Sequence, residues 1–158
     1  MAAGRRSYEV LGRDLALTAF RGVPSAVPLE VADSWGTLDL RMQGSPEQAD
    51  LSIAAGRENL AQALTLRLLT EHGALAALGH PDYGSRLVTL IGRGNSETVR
   101  NLARLHVIEA VRQEPRVQAL TALSVATSQD SADTLRIALS VVPRGDDEPL
   151  ALEVEVAL

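Results

Sequence analysis

The sequence predicts a single α+β domain, with helices packed on a small, mostly antiparallel sheet. Three observations predict it. Two stretches in the middle of the chain space their apolar residues as helices do. The last third alternates apolar and polar residues through successive runs. Glycine, proline and short polar residues punctuate the blocks, and no internal repeat or low-complexity segment interrupts them. The 158 residues suit one domain with a real core, and 46% apolar against 22% charged excludes a disordered chain. Aromatic residues are only 3%, so Leu, Val, Ile and Ala must build that core.

Residues 1–54 read as an extended, strand-and-loop segment of this domain, and 55–158 as its core. Asp14 to Thr18 alternates weakly, and Thr37 to Met42 alternates cleanly with Leu38, Leu40 and Met42 on one face. Val23 to Val31 holds Pro24 and Pro28 and reads as irregular. Gly44-Ser45-Pro46 signals a turn, and Leu51 and Ile53 suggest another short strand. The N-terminal segment is expected to order only on assembly with a partner.

The first helix is expected over Glu58–Thr70. Leu60, Leu64 and Leu68 recur every four residues, Ala61 and Leu69 widen the stripe, and Asn59, Gln62 and Arg67 are expected mostly at the surface. Gly73 is placed to end it. Leu75 to Leu78 adds a helical turn, Gly79-His80-Pro81-Asp82-Tyr83-Gly84 a tight loop, and Arg86 to Ile91 a short helix. Asn95 or Ser96 caps a second long helix that runs to about Gln113, with Glu97 favourable in its first turn. Its expected core stripe is Val99, Leu102, Leu105, Ile108 and Val111, with Arg100 and Arg104 outside and ion pairs Glu97–Arg100 and Glu109–Arg112. Pro115 disfavours a helical Glu114, so the helix stops there.

Three strands should follow. Val117–Thr127 is the first, and Ser128–Asp133 turns the chain. Leu135, Ile137, Leu139 and Val141 then share one face, and Pro143–Pro149 turns it again. Leu150, Leu152, Val154, Val156 and Leu158 share the buried face of the last strand. That strand is expected at a sheet edge, where Val154 and Val156 sit in a template for another chain's strand. Glu153 and Glu155 on its polar face read as ordinary solvation or as guards against wrong pairing.

Composition excludes several functions. The net charge of −5 disfavours nucleic acid, which wants a basic field. All 15 basic residues are Arg, a side chain suited to bidentate pairing at protein interfaces. Without Cys there are no disulfides, thiolate metal sites or cysteine nucleophiles. The start lacks the apolar stretch of a secretory signal, and no run is long enough to cross a membrane, so assembly in the cytoplasm is expected.

The candidate chemistry is sparse. His72, His80 and His106 lack close metal-ligand spacing, and His106 reads as a core or boundary histidine, so no metal or cofactor is expected. His80, Asp82 and Ser85 invite a hydrolase reading, but three residues in one loop rarely reach triad geometry, and turn chemistry explains Asp82 and Ser85. Gly92-Arg93-Gly94-Asn95 before a helix lacks the spacing of a phosphate loop and reads as a plain helix entry. Glu114-Pro115-Arg116 reads either as a solvated helix stop or as a partner contact.

Five pieces in order resemble one known family: Gly56-Arg57-Glu58-Asn59-Leu60 into Gln62-Ala63-Leu64; Arg67-Leu68-Leu69-Thr70 before Gly73; His80-Pro81-Asp82-Tyr83-Gly84-Ser85-Arg86-Leu87; the Asn95–Gln113 helix; and Glu114-Pro115-Arg116-Val117. Together they resemble the gp25-like baseplate family of contractile phage tails and contractile injection systems. The likeness runs from about Asp14 to the end and is strongest over 51–118. It implies a domain akin to the core domain of contractile sheath proteins and a structural, non-enzymatic role as sheath initiator. The implied partners are the contractile sheath protein, baseplate wedge proteins and the inner tube or hub, with six copies around the tube. It also implies that Glu114, Pro115 and Arg116 lie at the wedge contact. The Gly79–Leu87 loop is most similar to members from extracellular phage-tail-like particles, with type VI secretion and phage tails as alternatives.

Overall fold

The computed structural model describes residues 10–17, 40–45 and 48–158. Strands β1 (Arg13–Leu15), β2 (Met42–Ser45), β3 (Gln48–Leu51) and β4 (Ile53–Ala55) come first. Helix α1 (Arg57–Leu69), 3₁₀ turns at Ala76–Leu78 and Leu87–Leu90, and helix α2 (Glu97–Arg112) follow. Strands β5 (Val117–Thr127), β6 (Thr134–Pro143) and β7 (Leu150–Ala157) complete the order. The α+β class is as the sequence predicts. The sheet is divided, however: β1 pairs with β4, β2 with β3, and β5-β6-β7 form the main antiparallel meander.

Ser52 explains the break between β3 and β4. Its N–H donates to Arg41 O at 2.7 Å and its carbonyl accepts from Ala16 N at 2.9 Å, while Arg41 N donates to Ala16 O at 2.7 Å. Three extended segments therefore satisfy one another's backbone groups at one junction. The reversal signalled by Gly44-Ser45-Pro46 falls between β2 and β3, with Gly44 at φ +98. Pro46, the Val23–Val31 segment and Thr37–Asp39 with its Leu38 lie outside the described residues.

Helix α1 corrects its expected outer face. Asn59 and Gln62 are buried, at 4% and 2% exposure. Asn59 Nδ2 donates to Leu11 O at 2.9 Å; Gln62 Nε2 donates to Leu15 O, and its Oε1 accepts from Leu17 N. The β1 segment lies along α1, and two amides satisfy backbone groups that burial would otherwise strand. The opposite flank places Leu60, Leu64 and Leu68 in the core. The helix ends at Leu69, within one residue of the expected Thr70 and ahead of Gly73, because extended Thr70 leads into a parallel bridge between Glu71 and Ser85.

Helix α2 starts as predicted, with Ser96 Oγ accepting from Val99 N at 3.3 Å. Its buried face is Val99, Ala103, Val107, Ala110 and Val111. Of the expected three-residue stripe, Val99 and Val111 are therefore buried and Leu102 packs against the core, while Leu105 and Ile108 turn away from it. A step of three falls about 60° short of a full turn, so such a stripe winds off the core. Leu105 consequently stands 49% exposed. The expected ion pairs are also replaced. Arg100 donates to Asn95 Oδ1 at 2.8 Å, and Glu109 pairs with Arg86 at 3.2 Å.

The meander supplies the remaining core. Leu135, Ile137, Leu139 and Val141 on β6 meet Leu150, Leu152, Val154 and Val156 on β7, all buried against the helices. Strand β5 is apolar but mostly exposed, and only Val125 is fully buried.

Candidate functional site

The Glu114-Pro115-Arg116 motif forms the corner between α2 and β5. Val117 N donates to Glu114 O at 3.1 Å, closing a turn with Pro115 where proline's fixed φ is favoured. The turn folds Arg116 back onto Glu114. Arg116 Nε donates to Glu114 Oε1 at 2.6 Å and Nη2 to Oε2 at 3.1 Å, a bidentate fork. Arg116 Nη1 reaches Leu11 O at 3.1 Å. From α1, Arg67 Nη2 approaches Glu114 Oε2 at 3.4 Å, and the same guanidinium lies 4.5 Å from the centre of the Tyr83 ring. Arg144, after β6, donates to Pro115 O and Arg116 O through its Nε and backbone N.

This corner thus joins α1, α2, β5, the β6 end, the N-terminal segment and the Tyr83 loop. The Glu114 side chain is 4% exposed and that of Arg116 26%. Burial alone pushes the Glu114 carboxyl up. The hydrogen bonds and charge of Arg116, with the charge of Arg67, outweigh it and hold the carboxyl below its usual range. Burial likewise raises the Tyr83 phenol, although Arg67 opposes it. The motif is therefore an internal clasp, and Pro115 and one side of Arg116 are what it presents outward.

Val154 and Val156 are placed differently from a contact surface. They are 0% and 2% exposed, with side chains in the domain's own core. What β7 offers is its backbone. Leu158 N donates to Asp133 O, so strict alternation turns the N–H and C=O groups of Ala151, Glu153, Glu155 and Ala157 to the free edge. Among the described residues β7 pairs only with β6, without a bulge. On its outer face Arg136 pairs with Glu153 and lies 3.8 Å from Glu155. Edge strand β5 is less open: its register shifts twice, near Ala119 and Ala122, and Arg104 Nη2 donates to Val125 O at 3.2 Å.

The proposed hydrolase residues do not converge. Ser85 is 2% exposed; its hydroxyl donates to Leu68 O at 2.7 Å and accepts from Leu87 N at 3.2 Å. His80 is exposed in the loop. A cleft of about 380 Å³ beside them is lined by His72, Asp82, Arg86, His106, Glu109 and Arg112 among others. His106 is a boundary residue, its Nδ1 3.6 Å from Glu109 Oε2 and without a hydrogen-bond partner. Among the described residues, no three His, Asp or Glu side chains gather as a metal site, and no helix is long and apolar enough to cross a membrane.

No family model matches the chain, and no curated protein matches it. Among solved structures, the fold is similar to a protein from Geobacter sulfurreducens provisionally named a tail lysozyme. The two share 22% identity, the match covers 64% of this chain and 89% of that one, and the TM-score is 0.55. At this identity the likeness shows the fold. Sequence reasoning singled out Glu114 and Arg116 but missed Arg67, Tyr83 and Arg144, because their partners lie far away along the chain.

Proposed function

We propose that this chain is a structural baseplate component, a sheath initiator, of a contractile phage-tail-like injection system. It joins the baseplate wedge to the first sheath ring by accepting a strand of the contractile sheath protein along β7. The observation that carries this reading is the regular outer edge of β7, unpaired among the described residues, on a three-stranded meander. An edge of this kind offers alternating donors and acceptors to an incoming strand. The likeness in fold to a protein named for a tail supports the same reading. Since Val154 and Val156 fill the core, the incoming strand meets β7 through its backbone and meets Glu153 and Glu155 on the outer face.

The Glu114–Arg116 clasp serves this role from within. It fixes the corner whose outer surface, Pro115 and the open side of Arg116, faces the wedge proteins. Copies, six to a ring, surround the tube and its hub. The particle assembles in the cytoplasm and is released whole; a type VI secretion baseplate would use the same edge.

We infer no catalysis. A serine hydrolase needs a nucleophile on a base, and the Ser85 proton is committed to a backbone carbonyl. A glycosidase needs one carboxyl kept protonated by an apolar pocket, whereas Glu109 is 43% exposed and paired with Arg86.

Proline at an outward-facing edge position tests the proposal. Ala151→Pro removes one free-edge N–H and leaves the β6–β7 ladder intact. The expected outcome is a folded, soluble protein that no longer supports sheathed particles. Full assembly with the edge blocked would refute the role of β7.

A further inference from the structure

The segment 86–112 runs against the charge of the whole chain. It carries Arg86, Arg93, Arg100, Arg104 and Arg112 against Glu97 and Glu109, in a protein of net charge −5. Of these arginines only Arg86 has a carboxylate partner among the described residues. Arg104 is held in place all the same. Its Nη1 donates to Asn101 Oδ1 at 2.6 Å and its Nη2 to Val125 O at 3.2 Å. Neutral acceptors orient this guanidinium and leave its charge uncompensated.

Helical geometry places Arg104, Ile108, Asn101, Arg112 and Leu105 on one outward sector of α2, opposite Val99, Ala103 and Ala110. The exposed Glu97 shares that sector but lies about 10 Å before Arg104 along the axis, outside the Arg104–Arg112 span. Leu105 is 49% exposed and Ile108 half-buried, so an apolar centre lies between two arginines about 12 Å apart along the axis. An apolar centre with a charged rim, and arginine within it, is the composition of protein contact surfaces.

We propose that this face of α2 docks an acidic amphipathic helix of another protein. The partner presents carboxylates two helical turns apart to Arg104 and Arg112, and an aliphatic side chain between them to Leu105 and Ile108. Charge complementarity selects that occupant. Two turns of helix span nearly the same distance as the two arginines, and an acidic chain repels nucleic acid over most of its surface. The docking face is independent of the sheath-initiator reading, since it is tested on the purified protein alone.

The test is fluorescence anisotropy of the full chain with a labelled synthetic helical peptide that carries two glutamates two turns apart and a leucine between them. The expected result is binding that weakens with salt and falls about tenfold in Arg104→Gln and in Arg112→Gln. Leu105→Ser should weaken it as well. Arg93→Gln, which removes the same charge off this face, should leave it unchanged. Far-UV circular dichroism checks that each variant is folded. No salt-sensitive peptide binding, an equal loss in Arg93→Gln, or tighter binding of a labelled DNA oligonucleotide would each overturn the proposal. So would concentration-dependent self-association abolished by the same substitutions, which would give the face to a second copy.

Discussion

Truncating Arg116 to Ala removes both arms of the fork from Glu114. The carboxylate then keeps only the Arg116 backbone N–H at 3.3 Å and the Arg67 guanidinium at 3.4 Å, inside a side chain that is 4% exposed. Breaking a buried ion pair from one side costs about 3–5 kcal/mol. Arg67 retains part of the interaction, and at 26% exposure the Arg116 site admits water. The expected loss is therefore about 2–3 kcal/mol, or roughly 4–12 °C in Tm for a chain of this size. Urea denaturation at neutral pH measures it.

The same clasp sets a pH window. The folded carboxyl lies below its unfolded value, so the unfolded chain takes up protons first as pH falls. The Glu114 contribution is complete above the ordinary carboxylate pKa and is lost as pH drops through the depressed one. Glu114→Gln should flatten that acid limb of the stability profile, and Arg116→Ala should shrink it. A change below about 0.5 kcal/mol in Arg116→Ala, with an unaltered acid limb, would refute the buried clasp and return the motif to an ordinary surface pair.

Three further outcomes follow from local geometry. Gly84→Ala should destabilise by about 2 kcal/mol or more, because φ is +101 and a Cβ would stand 2.6 Å from Glu71 O; thermal unfolding reads this directly. Ser85→Ala should cost about 1–2 kcal/mol in urea by stranding Leu68 O and Leu87 N, while leaving particle assembly intact at permissive temperature. Arg57→Ala frees the β6–β7 turn from Asp146 and from the Glu148 and Pro149 carbonyls, each now 2.7 Å away. Amide exchange over 144–149 should rise, with a global loss of about 1 kcal/mol.

Elements with one buried face were legible in the sequence. The period-two runs of β6 and β7 and the Ser96 cap of α2 fall where alternation and capping chemistry put them. What the sequence hid were contacts that convert polar residues into core. Asn59 and Gln62 look like surface residues until the β1 segment lies beside them and offers Leu11, Leu15 and Leu17 backbone groups. Leu105 looked like core because three-residue spacing imitates a stripe over a few turns while winding away from it. The Glu114-Pro115-Arg116 site was legible as a motif and as a helix stop. Its direction was not, since whether the two charges face water depends on Arg67 and Leu11, far away in sequence.

The central claim is that β7 is the edge on which a sheath strand is built. Its most direct test is negative-stain imaging of particles from producing cells whose only copy of the chain carries Ala151→Pro, beside wild type. The account predicts bare tubes or no particles from the variant, sheathed particles from wild type, and equal amounts of folded, soluble protein in both. Normally sheathed particles from the Ala151→Pro cells would contradict it.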